Sequence, residues 1–220
     1  MNKQKVVRAI ASIISIVLII SMILATVITV FADESRVLTL GADLTPEQKE
    51  LILNYLNVDT SSVSVVEVNN SDERQYLEGV IPDQKIGHRT LSCAYIEPTD
   101  NGGIHIKTVN LNWVTCDMLR NALVTSGITN CNIIAVAPIE VSGTGSLAGI
   151  FKAYESVSGQ ELSESKKELA TNELITTAEM SYDIGSEEAS SLISELKQAV
   201  IENGLSDENS IKDEVEKYLN

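Results

Sequence analysis

The run Cys131-Asn132-Ile133-Ile134-Ala135-Val136-Ala137 constrains the fold more than any other segment. It is too continuous for a strand with one wet face and suits a strand buried on both. Such a strand needs a neighbour on each edge and a layer over each side. Ahead of it, Ile104 to Leu111 reads as a strand. A helix follows, capped by Thr115, with the apolar stripe Met118, Leu119, Ala122 and Leu123 and a stop at Gly127. Strand, helix, strand implies a parallel crossover. The expected class is therefore α/β (α+β): a mixed sheet of about five strands with covering helices.

Local signals extend this reading in both directions. Arg36 to Leu40 reads as a strand, and Thr45-Pro46-Glu47-Gln48 as a helix start with a capping box. That helix is expected to bury Leu51, Ile52, Tyr55 and Leu56. Val63 to Val68 is a β-branched strand, and Ser71 is the expected cap of a short helix holding Tyr76 and Leu77. Thr90 to Ile96 alternates, and the turn cluster Pro98 to Gly103 suggests that it pairs with Ile104 to Leu111 as a hairpin. The apolar phase changes within the second strand, which predicts a bulge near Thr108. Ser142-Gly143-Thr144-Gly145 leads into a helix through Phe151 and Tyr154. From residue 159 to 220 no strand pattern remains. Helical periodicity there predicts an acidic helical hairpin or bundle, following an α/β domain at 33–158.

Charge is unevenly spread. The 220 residues carry a formal net charge of −15, yet residues 1–32 hold Lys3, Lys5 and Arg8 and no acid, so 33–220 carries −18. Residues 155–220 alone carry −11. This balance argues against nucleic-acid binding, which needs clustered Lys and Arg, and the length excludes a full (β/α)₈ barrel of about 250 residues. The basic start, the uncharged apolar run Ala9 to Phe31 and the small-residue end read as a secretory signal. Val30 and Ala32 suit the −3 and −1 positions, with cleavage before Asp33. Left uncut, the run is long enough to anchor the chain in a bilayer, where about 20 apolar residues suffice. In either case the remainder lies outside the membrane. Any membrane contact is then through this N-terminal segment.

The three cysteines, Cys93, Cys116 and Cys131, allow one bridge at most. Cys116 and Cys131 flank one helix of about 18 Å, beyond the roughly 7 Å reach of a disulfide. If one bridge exists it therefore includes Cys93, and Cys131 is the expected partner.

Several stretches together resemble a known family. They are Thr39-Leu40-Gly41-Ala42-Asp43-Leu44-Thr45, Asn112-Trp113-Val114-Thr115, Ala137 through Gly145, and Lys152-Ala153-Tyr154-Glu155. Their order and content are similar to the YpuA-like exported proteins, domain of unknown function number 1002, over nearly all of the chain after residue 32. The resemblance implies export from bacteria of Gram-positive type. It implies no activity, cofactor or catalytic residue.

The candidate ligand-binding residues are Thr115, Ser142, Gly143, Thr144, Gly145 and Ser146. Gly143 through Gly149 lies between a buried strand and a helix, where backbone N–H groups and the helix dipole suit an anion. A tight strand-to-helix turn explains the same glycines. Ser163-Glu164-Ser165-Lys166 matches S-x-x-K without its companion motifs, and Ser163 reads more simply as a helix cap. His88 and His105 have no partner at ligand spacing, so neither a metal nor another cofactor is expected. The reading is a secreted, non-catalytic binding module whose partners are cell-wall or envelope components. The reading from another class is an extracellular hydrolase with its site near Thr115 and Gly143 to Gly145, at the strand ends where sites in such sheets gather.

Overall fold

A computed structural model describes residues 36–80, 83–205 and 207–218. The signal or anchor segment 1–32 lies outside the described residues. Among those described, no helix is long and apolar enough to cross a membrane.

The sheet has five strands: β1 Val37–Gly41, β2 Ser64–Val68, β3 Cys93–Pro98, β4 Ile104–Leu111 and β5 Cys131–Val141, in the order β2-β1-β3-β5-β4. β1 pairs parallel with β2 and β5 parallel with β4, while β3 runs antiparallel to both β1 and β5. The sheet is therefore mixed, as expected.

The expected hairpin between β3 and β4 does not form, because β5 lies between them. β5 is apolar on both faces and gains most from two neighbours, whereas β4 alternates buried and wetter positions and suits an edge. The Pro98 to Gly103 stretch thus steps past the start of β5. It is fastened by Asn130, whose carbonyl accepts from Thr99 N–H and whose side-chain Oδ1 accepts from Gly103 N–H. The bulge falls between Val109 and Leu111, where Asn110 adopts φ 59° and donates its side-chain amide to the Ala137 carbonyl.

Helices cover both faces. α1 (Pro46–Leu56) starts on the Thr45–Gln48 capping box and lies over Leu38, Leu40, Leu91, Cys93 and Val136. Its buried stripe is Ile52, Leu53 and Leu56, rotated from the expected one, so Leu51 and Tyr55 are exposed. Tyr55 instead lies under the Lys107 ammonium of edge strand β4, 5.3 Å from the ring centre. On the other face α4 (Cys116–Ser126) and α5 (Thr144–Ser158) pack on Val37, Ala94, Ile96, Ile133 and Ala135. Of two short helices, α2 (Asn70–Leu77) lies beside α5, and α3 (Asp83–Ile86) lies beside α2. Asn69, rather than Ser71, caps α2, in a capping box with Asp72.

The C-terminal helices are α6 (Glu164–Ile184), α7 (Ser186–Glu202) and α8 (Glu208–Tyr218). α6 shares the main core through Ala170, Leu174 and Ala178. α7 and α8 build a second core around Ile193, Leu196, Val200, Ile211 and Val215.

Candidate functional site

The strand-end edge read from the sequence is brought together as expected. Asn112 N–H donates to the Val141 carbonyl and Val114 N–H to the Ser142 carbonyl, so the ends of β4 and β5 run side by side. Thr115 Oγ1 accepts from Met118 N–H and caps α4, and Ser142 shares a hydrogen bond of 3.2 Å with Thr144. Both hydroxyls serve local structure. Cys116 Sγ lies 3.3 Å from Thr108 Oγ1.

The glycine loop is closed by the protein itself. Gly143 adopts φ 90°, and a Cβ there would sit 3.1 Å from Leu111 and 3.2 Å from Val114. Thr144, Gly145 and Ser146 are buried. The place a bound anion would take at the start of α5 holds the carboxyl of Glu73, from α2. A Cβ on Gly145 would come within 2.4 Å of it. Glu73 is 3% exposed. Burial pushes its pKa up to about 7, with Asp43 and Asp72 adding and the Thr90 hydroxyl and Arg74 opposing. The Thr90 hydroxyl is near enough to act on this carboxyl but makes no hydrogen bond, and Ser146 Oγ, also buried, makes none.

Cys93 and Cys131 are not brought together. Cys93 lies opposite Val136 and Cys131 opposite Pro98, five residues apart along paired strands or about 17 Å. They also face opposite sides of the sheet. Both thiols are free, and burial pushes them up to about 11 and about 12. Ser163 caps α6 by accepting from Lys166 N–H, and His88 and His105 are exposed in separate segments.

A second feature escaped the sequence reading. A cleft of about 280 Å³ opens between α2, α5 and the start of α6. Lys167 lies at its base, 4% exposed. Its ammonium donates to Glu155 Oε1 at 3.0 Å and Tyr76 Oη at 3.4 Å, and pairs with Glu164 Oε1 at 2.6 Å. Burial works against that charge, but the bonds to Glu164 and Glu155 outweigh it and hold its pKa above the ordinary lysine value. Burial raises the Tyr76 hydroxyl, opposed by Lys167. At the cleft wall Lys152 donates to Asp72 Oδ2 and to the Glu67 carbonyl, both at 2.9 Å. The one trace of it in the sequence is the Lys152–Glu155 spacing, which sets two charged side chains on one face of α5. The buried Lys167 gave none, because a lysine on a charged helix reads as solvated.

Fold and geometry define a mixed five-stranded α/β domain with a helical C-terminal extension, a self-filled strand-end edge and a charged cleft. Residues 40–220 match the family model described as Protein of unknown function (DUF1002), and the chain belongs to that family. It is 38% identical over 184 residues to the Uncharacterized protein YpuA of Bacillus subtilis (strain 168), an alignment covering 83% of this chain and 62% of that relative. The chain thus spans less than two thirds of the relative's length. No solved structure matches it significantly.

Proposed function

We propose that the chain is an exported, non-catalytic binding module of the cell envelope or its surroundings. One observation carries the choice of binding over hydrolysis. At the strand-end edge, where a hydrolase would hold its nucleophile and oxyanion donors, Thr115 and Ser142 are engaged in local structure and Glu73 fills the start of α5. The basic start and apolar run of residues 1–32 support export.

Fractionation of cells producing the full chain tests both halves. Protein shortened by the 32-residue leader is expected in the medium or the wall fraction, and purified protein is expected to be retained by isolated envelope material. Full-length mass confined to the cytoplasm refutes export. Turnover of ester or peptide substrates that disappears in Thr115→Ala would restore the hydrolase reading.

A further inference from the structure

We propose that the cleft between α2, α5 and the first turn of α6 binds a primary ammonium group, and that this group is what the binding module recognises. The inference rests on the binding-module reading and names its ligand class.

The cleft is held open by bonds already made. All three N–H groups of Lys167 are engaged, by Glu155, Glu164 and Tyr76. The Tyr76 ring lies 5.3 Å from that ammonium and meets Phe151 edge-on at 5.8 Å. Leu162 N–H donates to Glu155 Oε1 at 2.8 Å and fixes the loop from α5 to α6. The walls are thus fastened to each other independently of any ligand. The volume of about 280 Å³ lies at the lower edge of small-molecule pockets, about 300–1,000 Å³. It suits one side-chain-sized group.

What the walls still offer is chiefly acceptor capacity. Glu155 uses Oε1 twice and leaves Oε2. Asp72 uses Oδ2 for Asn69 N–H and Lys152 and leaves Oδ1. Glu164 commits only Oε1, and Glu161 is exposed at the rim. On the charged donor side, Lys167 is spent and Lys152 retains a single N–H. Four carboxylates face two ammonium groups, so the local field favours a cation. The free acceptors come from three elements rather than one carboxylate plane. That arrangement suits the diverging donors of an ammonium better than the planar fork of a guanidinium.

The test is an amide-shift titration of the exported chain with an Nα-blocked lysine amide, beside the same compound acetylated on its ε-amine. Saturable shifts centred on Tyr76, Lys152, Glu155 and Leu162 are expected with the free amine and absent with the acetylated one. Glu161→Gln, at an exposed side chain that makes no internal bond, and the pair Glu161→Gln/Glu164→Gln are expected to weaken binding, the pair about tenfold. Glu187→Gln/Glu188→Gln, on α7, leaves it unchanged. Shifts spread over the acids of α7 and α8, or equal for both probes, overturn the proposal in favour of diffuse charge attraction. 1,5-Diaminopentane as a second probe separates a free small amine from a lysine side chain, whose flanking amides it lacks. If envelope retention persists while the amine titration fails, the ligand class falls and the binding module stands. If both fail, both readings fall.

Discussion

At the strand-end edge single side chains act on one another directly, and Gly145 and Glu73 form a pair. Gly145→Ala drives a methyl against the Glu73 carboxyl, and overpacking of this kind typically costs about 1–3 kcal/mol. Glu73→Ser in the same chain is expected to recover most of it, as urea midpoints of the two single variants and the double variant will show. Glu73 also imposes a pH dependence. Its pKa is raised in the fold, so between about 4.5 and 7 the folded chain holds a proton that the unfolded chain has lost. The stability this proton confers is complete below about pH 4.5 and is lost as pH rises through 7, on the order of 3 kcal/mol across the window. Asp43 and Asp72 favour the protonated form and Arg74 opposes it. Glu73→Gln removes that proton linkage. The stability gap between variant and parent should therefore shift in the variant's favour by about that amount from pH 4.5 to pH 8 in urea denaturation. A constant gap refutes the assignment.

Whole elements show where sequence is informative. α4 is legible because its determinants are local: Thr115 caps it, Met118, Leu119, Ala122 and Leu123 are all buried, and Gly127 ends it at φ 95°. The order of β3, β4 and β5 is not legible from turn residues, since Pro98 to Gly103 suits a hairpin as well as a step past β5. The choice is made by residues 28 or more positions away on β5. Helix α6 shows the opposite limit. Its apolar stripe is readable, but Lys167 and Glu173, both buried, look like solvent-facing charges until Glu155, Tyr76 and Lys197 are placed beside them. Glu173, 0% exposed, accepts from Lys197 Nζ at 2.9 and 3.2 Å, while Lys197 also donates to Thr125 Oγ1 and the Asn121 carbonyl. This group joins α4, α6 and α7. Burial raises the Glu173 pKa and Lys197 opposes it. Lys197→Met leaves that carboxyl buried with the Thr125 hydroxyl still donating to it but without its counter-charge, at an expected loss of about 3–5 kcal/mol. Lys197→Met/Glu173→Leu is expected to regain much of it, read as thermal midpoints.

Across the whole molecule, charge and core divide the chain at different places. The acidic region begins near residue 155, yet the main core continues through Ala178 of α6. Removal of everything after Ser158 would take Ala170, Leu174 and Ala178 from that core. It would also take the Ala178 carbonyl that accepts from Trp113 Nε1 at 3.2 Å. Removal after Gly185 spares these and deletes α7 and α8, a segment of net charge −6 with much of the second core. It leaves Glu173 without Lys197, so the shortened chain needs Glu173→Leu to avoid a buried carboxyl with no counter-charge. Trp113, the single tryptophan, reports on both truncations. A chain ending at 185 with Glu173→Leu is expected to keep a blue-shifted Trp113 emission and a cooperative melt, while one ending at 158 shows the red-shifted emission of an unfolded chain. Cooperative folding of the shorter chain would place the end of the structural unit before α6, and loss of folding in the longer one would make α7 and α8 part of it.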